Sequence, residues 1–156
     1  MLAIKTLLCP TDFSEPSREA LNFAVELAAH FAGEICVVNV VPVLPPLPPD
    51  PNFVFAVPEY ERMLHAEADQ KLLDLVKNLK ALGVAVRTKV GHGDPAAEIV
   101  RIAAEENAGL IVIATHGMTG WRHAMFGSVA EKVVRLAKCP VLTTRASEES
   151  ARKASV

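Results

Sequence analysis

Leu110-Ile111-Val112-Ile113-Ala114-Thr115-His116-Gly117 runs from a strand into a turn, and after the nine residues Met118 to Phe126 the segment Gly127-Ser128-Val129-Ala130-Glu131 opens a helix. A short apolar run with no polar alternation reads as a strand covered on both faces, as in parallel sheets flanked by helices. Small residues in the turn let backbone amides approach an anion, and a helix start adds unpaired N–H groups and a favourable dipole. The stretch therefore predicts a phosphate subsite. The same residues admit a ligand-free reading, because Ser128 with Glu131 three residues later forms a capping box. A serine hydroxyl has one donor and two acceptor lone pairs, so both readings can hold at once.

Working outward, the same alternation of strand and helix recurs along the chain. Ala3 to Cys9 reads as a buried strand, and Ser14-Glu15-Pro16 supplies an N-cap with proline in the first turn. Leu21, Ala24, Val25, Ala28 and Phe31 then share one helical face, and Gly33 stands where a glycine ends a helix. Ile35 to Val41 is a second strand. Pro42 to Pro58 holds seven of the eleven prolines, which excludes helix and central strand and predicts a surface loop, read as a spacer with a flap or contact surface as the alternative. Glu59 to Leu82 is an amphipathic helix with Leu72, Leu75, Val76 and Leu79 on its stripe. Val84 to Val90 is a third strand, Asp94-Pro95 starts a helix carrying Ile99, Ile102 and Ala103, and Leu110 to Ala114 is the fourth. A helix from about Val129 to Lys138 and a strand from Val141 to Arg145 complete one domain, residues 1–146, leaving a polar tail over 147–156. The pattern predicts a doubly wound, five-stranded, mostly parallel α/β sheet with helices on both faces, Rossmann-like. In such sheets ligands sit beyond the carboxyl ends of the strands at the switch point. That singles out Pro10-Thr11-Asp12 and the segment from Ala114 to Ser128.

Composition removes several function classes. Sixteen basic and eighteen acidic residues give a net charge of -2 with no basic stripe, so nucleic acid is not an expected partner. No apolar run reaches membrane-spanning length and no leader is apparent, so a soluble, cytoplasmic protein is expected. Cys9, Cys36 and Cys139 lie in or beside apolar runs as reduced thiols without metal-ligand spacing. Neither G-x-x-x-x-G-K-[ST] nor G-x-G-x-x-G after the first strand is present, which excludes a P-loop and a standard dinucleotide fold.

Pro10-Thr11-Asp12-Phe13-Ser14, Ala114-Thr115-His116-Gly117, Gly127-Ser128-Val129-Ala130-Glu131 and Cys139-Pro140-Val141-Leu142 together resemble the universal stress protein family, specifically its ATP-binding, UspA-like subgroup, over nearly the whole chain. The resemblance implies strand order 3-2-1-4-5, which brings the two singled-out loops together. It implies ATP as ligand through the pattern G-x2-G-x9-G-[ST], which falls on Ala114, Gly117, Gly127 and Ser128, with alanine in place of the first glycine. A left-handed backbone at Ala114 would cost about 1–2 kcal/mol, whereas a requirement for a small residue alone would tolerate the methyl; the second is expected. By the same resemblance Gly117, Gly127, Ser128, Val129 and Ala130 surround the phosphates, Pro10, Thr11 and Asp12 line the adenosine side, Val40 packs on adenine, and Ile113 and Ala114 lie near the ribose. Mg²⁺ is held by the protein or only through the triphosphate; the residues leave both open.

His116 and His123 are read as hydrogen-bonding loop residues, since no carboxylate between Ala114 and Phe126 orients an imidazole. Trp121 and Met125 are read as packing or interface residues, and Asp94 as a helix cap and not a second phosphate site. Val141 to Arg145 would leave an apolar edge, for which a twofold homodimer is the expected remedy, in line with the resemblance. The expected function is an ATP-binding regulatory protein of the stress response, with no catalytic residue and no protein-held metal assigned. A slow ATPase or nucleotidyl transferase is the enzymatic alternative, with Arg122 as its one candidate transition-state cation; a nucleotide-free interaction module is the third.

Overall fold

The computed structural model describes residues 4–43, 57–80, 83–115 and 127–145. The chain order is β1 (Thr6–Pro10), α1 (Glu15–Phe31), β2 (Glu34–Val41), α2 (Val57–Lys80), β3 (Ala85–His92), α3 (Pro95–Glu105), β4 (Leu110–Ala114), α4 (Ser128–Leu136) and β5 (Val141–Thr144). All four strand pairings are parallel, and the sheet order is β3-β2-β1-β4-β5. The chain winds outward from β1 to β3, crosses back to β4 on the other side of β1, and ends at β5. A reversal of direction with crossovers of one hand moves the helices to the opposite face.

Side-chain alternation in the strands divides the core accordingly. Leu7, Cys9, Ile35, Val37 and Val112 face α1 and α2, meeting Leu21 and Ala24 of the first and Leu72 and Val76 of the second. Leu8, Cys36, Val38, Ile111 and Ile113 face α3 and α4, meeting Ile99, Ile102, Ala130 and Val133. Strands buried on both faces explain the unbroken apolar runs, and each fully buried large aliphatic contributes about 1.5–3 kcal/mol. Burial pushes the Cys9 thiol up to about 12 and the Cys36 thiol up to about 11, so both remain protonated, apolar core groups.

Several helix ends differ from the sequence reading. Ala32, not Gly33, takes the left-handed conformation after α1, with Ala32 N–H reaching Ala29 O at 3.4 Å and Gly33 N–H reaching Ala28 O at 2.9 Å. Gly33 is small for another reason: a Cβ there would meet the carbonyls of Ile4 and Lys5 at 3.0 Å. Phe31, at the end of the α1 stripe, is 43% exposed. α2 begins at Val57, two residues before the predicted start, because proline is tolerated in a first helical turn where its missing N–H has no partner to lose. The rest of the proline-rich segment, residues 44–56, and the tail over 146–156 lie outside the described residues. β3 runs on to His92, and β5 stops at Thr144, one residue before Arg145.

A charged cluster fastens the carboxyl end of α3 to the edge strand. Glu106 accepts from Lys89 at 2.5 Å and from Arg87, which also bonds Glu34 at 2.6 Å. Lys89 and Arg87 hold the Glu106 carboxyl below its ordinary range. This end of the sheet is opposite the carboxyl ends of the strands, so the cluster secures α3 without approaching the cleft.

Candidate functional site

The β1–β4 ladder comprises Leu7↔Leu110 and Leu8↔Ile111, after which the two strands part. A cavity of about 360 Å³ opens where they separate, within the range of about 300–1,000 Å³ typical of small-ligand sites. Pro10, Thr11 and Asp12 form its first wall, with Ser17 from α1 behind them. Val38, Asn39 and Val40 from β2, with Pro95 and Ile99 from α3, form the second. The third runs from Ile113, Ala114 and Thr115 on β4 to Gly127, Ser128, Val129 and Ala130 at the start of α4. Ten of the eleven residues singled out in the sequence thus face one cavity; the eleventh, Gly117, lies outside the described residues with His116, Trp121, Arg122, His123 and Met125.

Thr11 is fixed from four directions. Its N–H donates to Val38 O at 2.8 Å, its carbonyl accepts from Asn39 Nδ2 at 2.8 Å, and its Oγ1 accepts the Phe13 N–H at 3.0 Å. The Ser17 hydroxyl donates to Ser14 O at 2.8 Å, which uses its only hydrogen. The 3.0 Å contact between Thr11 Oγ1 and Ser17 Oγ must then run from threonine to serine. This chain of hydroxyls holds the Asp12-Phe13-Ser14 bend. Phe13 has φ 66°, a left-handed conformation costing about 1–2 kcal/mol for a residue with a side chain. The ring repays part of that by packing on the α1/α2 core, with Lys71 Nζ 5.7 Å from its centroid. Asp12 turns one carboxylate oxygen inward, where Oδ1 accepts from Ser14 N–H at 3.1 Å and Ser14 Oγ at 2.5 Å.

On the facing wall, Thr115 N–H donates to Thr144 O at 2.8 Å, and its carbonyl accepts the Gly127 N–H at 2.5 Å. The chain therefore leaves β4 and re-enters α4 at one point. The capping box expected from Ser128 and Glu131 does not form. Gly127 is the N-cap and makes no side-chain capping bond, because the Thr115 contact pins the start of the helix one residue earlier. Glu131 N–H makes the first helical bond, to Gly127 O at 3.0 Å, so the amides of Ser128, Val129 and Ala130 have no acceptor inside the helix. Ala114 lies in extended β4, opposite Thr144, and is not among the positive-φ residues. Its backbone is therefore one that alanine adopts without strain.

With this geometry in place, the chain can be set beside known proteins. The model of the Universal stress protein family matches residues 3–145. The chain belongs to the universal stress protein family. Universal stress protein MJ0531 of Methanocaldococcus jannaschii is 36% identical over 141 residues, spanning 90% of this chain and 82% of that protein. The solved structure of MJ0577 superposes with a TM-score of 0.78 at 29% identity, covering 94% of this chain and 99% of the other. The structure of the universal stress protein from Archaeoglobus fulgidus in complex with dAMP shares the fold with a TM-score of 0.64 at 24% identity, covering 92% and 98%.

Within this universal stress protein, sequence reasoning missed several lining residues. Val38 was accessible from the two-residue period of β2, which puts it on the same face as Val40. Pro95 was read only as part of a helix start, and Ile99 only as part of that helix's apolar face. The crossover from edge strand β3 to β4 must pass over β2 and β1, however, and it carries the start of α3 across the cavity. Asp94 is the helix cap expected, accepting from Ala97 N–H at 3.0 Å. That bond, with Lys132 of α4 at 3.6 Å, holds its carboxyl below the ordinary range. Ser17 and Asn39 carried no sequence signal, since their roles depend on bonds across the β1 loop. Among the described residues no helix is long and apolar enough to cross a membrane.

Proposed function

We propose that this universal stress protein binds ATP in the cleft between β1 and β4 and acts as a nucleotide-responsive regulator in the stress response. The observation that carries the reading is the convergence of the fixed Pro10-Thr11-Asp12 loop and the amino end of α4 on one cavity. Val38, Val40, Ile99 and Ile113 offer an apolar bed for a base, and Ser128, Val129 and Ala130, whose amides have no acceptor inside the helix, line the same cavity. β2 and β4 are separated by two strand spacings, about 9.6 Å, which suits an elongated ligand with an apolar and an anionic end. The dAMP complex of the A. fulgidus relative is consistent with a nucleotide on this fold.

Among the described lining residues there is no lysine or arginine, and Asp12 is the one carboxylate. Triphosphate charge would then be met by the helix start and by Mg²⁺ carried on the phosphates, with Asp12 contributing chiefly to loop shape. Thermal unfolding of nucleotide-free protein should shift upward with ATP and Mg²⁺, and an unchanged transition would remove the reading.

The homodimer belongs to the same proposal. β5 is the last strand of the sheet, and all four of its residues are half-buried. Thr144 O accepts from β4, so alternate residues turn their backbone the other way, and Thr143 presents its N–H and carbonyl to the open edge. A second copy related by a twofold axis would pair there. Thr143→Pro removes that outward donor while leaving the β4 ladder intact. Sedimentation should give a dimer for the wild type and a monomer for the variant at the same concentration; a monomeric wild type would end the dimer reading.

A further inference from the structure

Pro95 is the first residue of α3 and Ser128 the first of α4, and both line the cleft between β1 and β4. Two helix starts therefore meet at one cavity, each bringing the positive end of its dipole. An exposed ion pair bridges them. Asp94, the cap of α3, has Oδ2 3.6 Å from Nζ of Lys132 on α4, with the two side chains 54% and 49% exposed.

Lys132 stands four residues after Ser128, about 6 Å along the helix axis. Side chains on a helix lean toward its amino end, so the flexible four-carbon stem of Lys132 runs back toward the turn that carries the Ser128, Val129 and Ala130 amides. The contact with Asp94 puts its ammonium between the two helix starts, at the rim of the cavity. At 3.6 Å this pair is longer than the hydrogen bonds of about 2.7–3.2 Å that hold side chains in place, and an exposed pair of that kind adds little to stability. Asp94 is anchored without it, by the Ala97 N–H at 3.0 Å. The lysine is the partner that can leave.

We infer that Lys132 is the cation of the nucleotide cleft, exchanging Asp94 for the outer phosphates of a bound nucleoside polyphosphate. The inference rests on the nucleotide reading of the cleft and adds what it selects, a polyphosphate over a bare nucleoside. The described lining residues include no lysine or arginine, so an ammonium swinging in from one turn along α4 supplies the point charge that phosphate oxygens bind. Asp94 opposes it twice, by holding the ammonium and by repelling the phosphates.

The test is calorimetric titration of ATP with Mg²⁺, and separately of adenosine, into the nucleotide-free full chain, with the ratio of the two affinities as the readout. Lys132→Met keeps an unbranched side chain and good helix propensity while removing the charge, and should lower the ratio about tenfold, as expected for losing one charged hydrogen bond. Lys132→Arg should restore most of it. Asp94→Asn keeps the helix cap, because asparagine caps as well as aspartate, and should raise the ratio severalfold. A pair that only ties α3 to α4 behaves differently: both neutral variants would melt lower and leave the ratio at its wild-type value, which overturns the inference. A wild type that binds ATP no better than adenosine also overturns it, while leaving a nucleoside in the cleft. A wild type that binds neither removes the cleft reading and this inference together.

Discussion

Gly127→Val should reduce ATP affinity by at least about a hundredfold, equivalent to about 2.7 kcal/mol, while leaving the fold intact. Gly127 has φ -68° and ψ 148°, an extended conformation that valine adopts readily, so the backbone does not demand glycine. Its N–H bond to Thr115 O is also independent of the side chain. What a valine changes is the space in front of the Ser128, Val129 and Ala130 amides, where the proposed phosphates approach. Valine is a poorer N-cap than glycine, so a loss of about 1 kcal/mol in stability accompanies the change. Titration of ATP into the variant and the wild type separates the two effects. Near-normal affinity in the variant would mean that the phosphates lie elsewhere.

Ile111→Ala should lower stability by about 2–5 kcal/mol, the range for truncating a large aliphatic side chain in a core. Ile111 is fully buried, pairs with both β1 and β5, and packs on the α3/α4 side of the sheet. For a chain of this size each kcal/mol is worth about 2–4 °C, so a fall on the order of 4–20 °C is expected in thermal unfolding. Because Ile111 does not line the cavity, the variant should still bind ATP with near-wild-type affinity well below its transition. A loss under 1 kcal/mol would show that the centre of the sheet is less tightly packed than its burial implies.

These two residues also mark how far the sequence could be read. The Leu110–Ala114 run announced a strand covered on both faces, and Ile111 is buried as that requires. Strand order was different: hydrophobic periodicity says which face of a strand is covered but not which strands are neighbours, and the order came from the family resemblance. Gly127 and Ser128 were recognised as a helix start, yet the cap was placed one residue late. The bond that fixes it, from Gly127 to Thr115, joins two residues separated by a long loop and leaves no mark in local spacing. The switch-point rule singled out the loops at the ends of β1 and β4, and the resemblance added Val40 and Ile113 and assigned the parts of the ligand. Neither supplied Pro95 and Ile99, which reach the cleft only because the crossover from β3 passes above it. Ala32 illustrates a further gap, since the adjacent glycine drew the left-handed assignment while close approach to Ile4 and Lys5 explains that glycine instead.

The most direct test of the central claim is the melting temperature of wild-type protein, purified free of nucleotide, with and without ATP and Mg²⁺. At about a hundred times its dissociation constant, a ligand that binds only the folded state adds about 2.7 kcal/mol. For this chain that amounts to a rise of about 5–11 °C. Such a rise is expected with ATP, and an unchanged melting temperature at millimolar ATP would rule out nucleotide binding in the cleft.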